Sequence, residues 1–176
     1  MRENFINISM RGRIAYAIMC FESLIKEKYP NYNWSTLLNK LWNVTNAEFL
    51  DEWASMIIEY IPEYMLEFPT YEESEFEFIT KEEYEILKPI YNDVDGMVND
   101  FLKMIRDMEE IYAFSNIPNH GIESIDILLK IIESLEEQGI SNPDISKIED
   151  MTFDERNGWG NRFDGKKLSI IIKRSF

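Results

Sequence analysis

Residues 10–30, MRGRIAYAIMCFESLIKEKYP, decide the fold class. Met10, Ile14, Ala17, Ile18, Phe21, Leu24 and Ile25 recur at spacings of three and four, with Arg11, Glu22, Lys26 and Glu27 elsewhere on the wheel. A strand would alternate with period two, so this is an amphipathic helix of about five turns that ends before Pro30. The same period governs most of the chain. Leu37, Leu38, Leu41 and Trp42 predict a second, shorter helix from Ser35. Thr45 and Glu48 have the spacing of a capping box for a third. Its apolar face reads Phe49, Leu50, Trp53, Met56, Ile57, Tyr60 and Ile61, up to a break or kink at Pro62.

Thr80 and Glu83 form a second capping box, opening a helix that Pro89 should disturb. Asp95-Gly96 precedes a long helix on Met97, Val98, Phe101, Leu102, Ile105, Met108 and Tyr112. The wide apolar face of that helix predicts a central position. Ile122 to Gln138 is a further helix, with Gly139 placed as its C′ residue. Asn142-Pro143 suits the start of one more short helix, to about Asp150. The expected fold is therefore all-α or almost so: a single α-helical domain over 1–176, a bundle of about six to seven helices. Two stretches depart from helical spacing. Phe76–Ile79 could form a short strand within an ordered loop. Leu168–Ile172 is β-branched and could pair with Trp159–Phe163 across Asp164-Gly165, making a small hairpin appendage of 156–176; a C-terminal helical turn is the alternative.

The charge is distributed very unevenly. The 176 residues have a formal net charge of −15, yet residues 41–80 contain no lysine, arginine or histidine and carry ten acids. These are Glu48, Asp51, Glu52, Glu59, Glu63, Glu67, Glu72, Glu73, Glu75 and Glu77. From Arg156 onward the sign reverses: Arg156, Arg162, Lys166, Lys167, Lys173 and Arg174 stand against Asp164 alone. Solvated helix faces normally pair glutamate with lysine four residues on, whereas Glu48–Glu52 and Glu59–Glu63 are like-charged neighbours. The loop also interleaves its acids with Tyr64, Phe68, Tyr71, Phe76 and Phe78. Acids steer a basic partner and aromatics supply contact area. The expected partner-binding residues are Glu52, Glu59, Glu63, Glu67, Tyr71, Glu72, Glu73, Glu75, Phe76 and Glu77. The competing reading is a solvated face that aids solubility, with the basic tail as its internal neutraliser.

The same charge argues against nucleic acid and anionic membranes as ligands, because both are bound by basic patches. One cysteine, Cys20, and one histidine, His120, cannot supply a zinc site, and no glycine-rich phosphate loop is present. Cys20 on the first helix is expected to be buried and inert, and His120 to be a structural loop residue. No cofactor, metal or catalytic residue is expected. The absence of an apolar leader or a membrane-length run, with a single cysteine, predicts a cytoplasmic protein. One enzymatic alternative uses Glu48, Asp51, Glu82 and Glu85, paired on helical faces, in a magnesium-dependent all-α nucleotide hydrolase. Another alternative is an α-helical regulatory or scaffold module, self-associating weakly as a homodimer through the basic tail.

Gly12-Arg13-Ile14-Ala15-Tyr16-Ala17 with Cys20-Phe21-Glu22, and Gly158-Trp159-Gly160 with Asp164-Gly165-Lys166-Lys167-Leu168-Ser169, resemble the two ends of an all-α immunity-protein family of bacterial polymorphic-toxin systems of the contact-dependent inhibition type. The resemblance implies a cytoplasmic protein that binds and neutralises a cognate toxin domain, often a nuclease and often basic, without catalysis of its own. It carries no catalytic residues to this sequence.

Overall fold

The computed structural model of the chain describes residues 1–113 and 115–172. Among them are seven α-helices: α1 (Met10–Lys28), α2 (Ser35–Trp42), α3 (Leu50–Ile57), α4 (Pro62–Met65), α5 (Lys81–Asp93), α6 (Gly96–Glu110) and α7 (Ile122–Glu137). Short 3-10 turns link them, and the described residues contain no strand, only one isolated antiparallel bridge between Ile8 and Thr152. Helices α1, α6 and α7 pack against one another around one core, α3 lies on α6, and α2 and α4 contact α5.

The central helix is α1. The wide face of α6 does pack inward, but α1 is buried nearly all round, its polar residues Arg11, Arg13 and Glu22 included. Each of the three meets the chain's own polar groups, as buried charge requires. Arg13 donates to the carbonyls of Phe5, Ile6 and Gly121 and to Ser124 Oγ, at 2.9–3.1 Å, and its guanidinium lies over the Phe153 ring. Burial lowers its pKa to about 10, so the group stays cationic at neutral pH. Glu22 Oε1 accepts from Trp42 Nε1 at 2.8 Å and Ser169 Oγ at 2.5 Å, and its Oε2 accepts from Ile170 N at 2.7 Å.

These contacts explain the C-terminal segment. Phe163 N donates to the Thr45 carbonyl, Gly165 N donates to Thr45 Oγ1, and Ser169 and Ile170 donate to Glu22. The helical core satisfies the segment's backbone, so no hairpin forms and Gly165–Leu168 is a 3-10 turn. Lys173 and Arg174 lie outside the described residues. The sequence resemblance rests on two ends that turn out to be neighbours in space. Arg11 N donates to the Trp159 carbonyl, and a Cβ on Gly165 would stand 2.5 Å from Thr45 Oγ1. On Gly12 it would stand 2.6 Å from Ile8 Cγ2. The described residues of these motifs form a packing seam around α1.

Four local expectations change. Thr45 does not cap α3: its hydroxyl donates to the Trp42 carbonyl and accepts from Gly165, so α3 starts one turn later, after Phe49. Phe49 thereby leaves the apolar face and is 56% exposed. Pro89 sits inside α5 without ending it, while the Thr80–Glu83 capping box forms as the spacing predicts. Asn142-Pro143 starts no helix. Pro143 lends its carbonyl to Tyr16 Oη, and Asp144 caps a 3-10 turn, Ile145–Lys147. Asp95 caps α6, and α7 closes in a Schellman motif, with Gly139 at φ +69° and Ile140 N donating to the Leu135 carbonyl at 3.1 Å.

Candidate functional site

The acidic residues of 41–80 divide into anchored and free groups. Glu59 is anchored and half-buried. Its carboxylate accepts the consecutive backbone amides of Glu77, Phe78 and Ile79 at 2.8, 2.8 and 2.9 Å. This clamp, and no strand partner, holds Phe76–Ile79, which bends at Glu77 and Phe78 and forms no strand. Glu63 pairs with Lys103 of α6 at 2.5 Å, and that partner holds its carboxyl below the usual range. Glu72 pairs with Lys81, with the same effect on its carboxyl. Glu48 lies 3.9 Å from Arg162, so one cation of the basic tail does reach the acidic stretch within the chain. In each like-charged pair, Glu48–Glu52 and Glu59–Glu63, one member meets a cation from a distant element, Arg162 or Lys103, which local spacing does not reveal.

Glu52, Glu67, Glu73, Glu75 and Glu77 are exposed, and among the described residues their carboxylates have no ion pair or hydrogen bond. The aromatics of the loop are mostly turned to its support. Phe76 meets Phe68 edge to face at 5.1 Å and Tyr84 of α5 at a tilt at 6.0 Å between ring centroids, and Tyr71 meets Tyr84 at 5.9 Å. Tyr71 Oη donates to the Ile79 carbonyl and Tyr84 Oη to that of Phe68. Tyr71 and Phe76 are therefore half-buried staples that fix the loop to α5.

The expected site left out the two most exposed rings of the described residues, Phe49 and Phe78. Phe78 is 42% exposed, and with Phe49 it lines a shallow groove of about 420 Å³ whose floor includes Met56 and Trp53 and whose rim includes Glu48 and Glu52. Phe78 had a signal, since it alternates with the acids; Phe49 had none, because helical spacing assigned it to the core. Exposed aromatic rings ringed by polar residues are the usual composition of an interaction surface.

The other candidates resolve simply. Cys20 is buried, which pushes its thiol pKa far up and removes the thiolate needed for nucleophilic attack. His120 is an exposed loop residue at φ +55° whose ring lies 4.9 Å from that of Phe153. Among the described residues no three His, Cys, Asp or Glu side chains converge so as to hold a metal ion, and Glu48, Asp51, Glu82 and Glu85 form no such group. No helix among the described residues is long and apolar enough to cross a membrane. Fold and surface together define an all-α, strongly acidic helical protein with an acidic-aromatic face. Comparison with protein-family models, curated proteins and solved structures gives no match to the chain.

Proposed function

We propose that this chain is an immunity protein of the polymorphic-toxin type, which binds a basic toxin domain in the cytoplasm and neutralises it by occlusion, without catalysis. The observation that carries the reading is the groove of Phe49 and Phe78, rimmed by Glu48 and Glu52, in a chain segment that also carries the exposed, unpaired Glu67, Glu73, Glu75 and Glu77. Unneutralised like charge raises the energy of the folded state, and a basic partner relieves it. The two rings supply the desolvated contact, and the acids supply steering and pairing for lysines and arginines. Glu63, Glu59, Tyr71 and Phe76 contribute by holding that face in shape. The resemblance of the two end segments to immunity proteins supports the same reading. A nuclease is a natural toxin class, because a domain that binds phosphate backbones is basic.

The test begins with the reading frame beside this gene. Its C-terminal domain, co-purified with this chain, should bind one to one, with an association rate that falls steeply between 50 mM and 500 mM salt. Reversing Glu73, Glu75 and Glu77 to lysine should lower that rate about tenfold or more and flatten its salt dependence. Phe78→Ala should instead speed dissociation. Association that ignores salt, or that survives both changes, sinks the reading.

A further inference from the structure

Residues 45–49 offer two places for α3 to begin, and the helix takes the locally weaker one. Thr45 and Glu48 have the spacing of a capping box, which would open the helix at Asn46. The helix opens instead after Phe49, an apolar N-cap that makes no side-chain hydrogen bond to the first turn. Threonine is a good N-cap and apolar residues are poor ones, so the late start is imposed from outside the segment.

Residues 162–165 occupy both halves of the unused box. Gly165 N donates to Thr45 Oγ1 and Phe163 N to the Thr45 carbonyl, each at 3.0 Å, while Arg162 lies 3.9 Å from Glu48. Gly165 is buried, so its amide cannot leave the threonine without finding another acceptor. Arg11 of α1 adds two links, donating to the Val44 and Ala47 carbonyls. The carbonyls of Val44, Thr45 and Ala47 thus all accept from remote donors. Just beyond them Phe49 is exposed at the groove, whose floor is fixed by Trp53, its indole N–H donating to the Lys40 carbonyl at 3.0 Å.

We propose that residues 162–165 and Arg11 are positioning groups for the Phe49–Phe78 groove: they hold Thr45–Glu48 off the capping box and keep the Phe49 ring out where a basic partner's apolar contact reaches it. The inference rests on the reading of that groove as the partner surface. When the links are lost, Thr45 caps α3 and the helix gains about one turn. Phe49 then shares a helical face with Trp53 and Met56, four and seven residues on, and its ring covers the floor of the groove. The open groove is therefore maintained by the packing seam of the chain's two ends.

Gly165→Ala separates the two helix starts. A Cβ there would stand 2.5 Å from Thr45 Oγ1 and 2.7 Å from the Trp42 ring, displacing the segment while Thr45 keeps its hydroxyl for capping. The Phe49 backbone, extended in the wild type at φ −113° and ψ 119°, should turn helical in this variant together with Ala47 and Glu48, read from Cα chemical shifts of the free full-length chain. Thr45→Val keeps the shape and removes both the link and the cap, so it should produce no helical shift. Both variants should speed dissociation from the C-terminal domain of the neighbouring reading frame about tenfold. In a Phe49→Ala background neither should change it more than about twofold, whereas a loss of stability alone acts equally in both backgrounds. Phe49 shifts that stay extended in Gly165→Ala, or equal effects with and without the Phe49 ring, overturn the proposal. If Gly165→Ala does not fold, Thr45→Val decides it by dissociation. A wild-type chain that binds no such domain refutes the partner reading, and the chemical shifts still decide the positioning.

Discussion

Replacing Glu59 with alanine should loosen the whole acidic face, although Glu59 itself contributes little surface to it. The carboxylate accepts three successive amides, from Glu77, Phe78 and Ile79, at 2.8–2.9 Å. Hydrogen bonds to a charged acceptor contribute about 1.5–3 kcal/mol each, and less where water replaces the lost partner. Glu77 and Phe78 are exposed, so their amides rehydrate and each loss costs about 1 kcal/mol. Ile79 is 2% exposed, and stranding its amide costs about 2 kcal/mol. Glu59→Ala should thus destabilise the fold by about 3–4 kcal/mol and lower Tm by roughly 10 °C for a chain of this size. Urea denaturation followed by tryptophan fluorescence measures the first quantity. Amide exchange at residues 77–79, accelerated at least about a hundredfold, localises it. Glu59→Gln retains one acceptor oxygen and should fall between wild type and alanine. A loss below about 1 kcal/mol with unchanged exchange at these three amides would refute the clamp. The same variant should lower affinity for a basic partner without changing the slope of its salt dependence, unlike reversal of Glu73, Glu75 and Glu77.

The buried Glu109 carboxyl, raised from an ordinary 4.5 to about 7 chiefly by burial, makes stability depend on pH. The folded state holds that proton to higher pH than the unfolded chain, so its contribution is fully present below about 4.5 and is lost as pH rises through about 7. With a discount for solvent screening, Glu109→Gln should match wild type at pH 4.5 and exceed it by about 1–2 kcal/mol at pH 8, read from paired denaturation curves; equal stability at both pH values would show that the carboxyl is not perturbed. Glu22→Ala strands the Trp42 indole N–H and the Ile170 amide, so it should cost about 3 kcal/mol. It should also speed tryptic cleavage at Lys166 and Lys167, and an unchanged digestion rate would show that Glu22 does not hold the tail. Gly160→Ala forces φ +86° on a residue with a Cβ and drives that atom into the Ser9 side chain, so its midpoint in urea should correspond to a loss of about 2–3 kcal/mol. A loss under about 0.5 kcal/mol would mean that the seam yields easily.

The helices were legible because each carries its own period. The apolar spacing of Met10–Ile25 and the capping box at Thr80–Glu83 report local geometry, and local geometry is what a sequence encodes directly. Gly139 after α7 was legible for the same reason, since the left-handed closing residue favours glycine. The segments that changed are those whose backbone partners lie far along the chain. Leu168–Ile172 has strand composition, but its own Ser169 and Ile170 donate to Glu22, nearly 150 positions earlier. Thr45–Glu48 has the spacing of a cap, but the threonine hydroxyl serves Trp42 and Gly165 instead.

By itself, then, the sequence determined the all-α class, most helix boundaries and the concentration of ten acids in residues 41–80. Only the tertiary structure decided which of those acids are free. Lys103 and Arg162 approach Glu63 and Glu48 from remote positions, and three amides enclose Glu59, while Glu52, Glu67, Glu73, Glu75 and Glu77 keep an unneutralised field. It alone buried the Arg11 and Glu109 side chains, each with one polar atom that no hydrogen bond meets among the described residues. Composition fixes how much charge a chain carries, but the energy of each charge depends on distance and burial, and both are set when remote segments pack together.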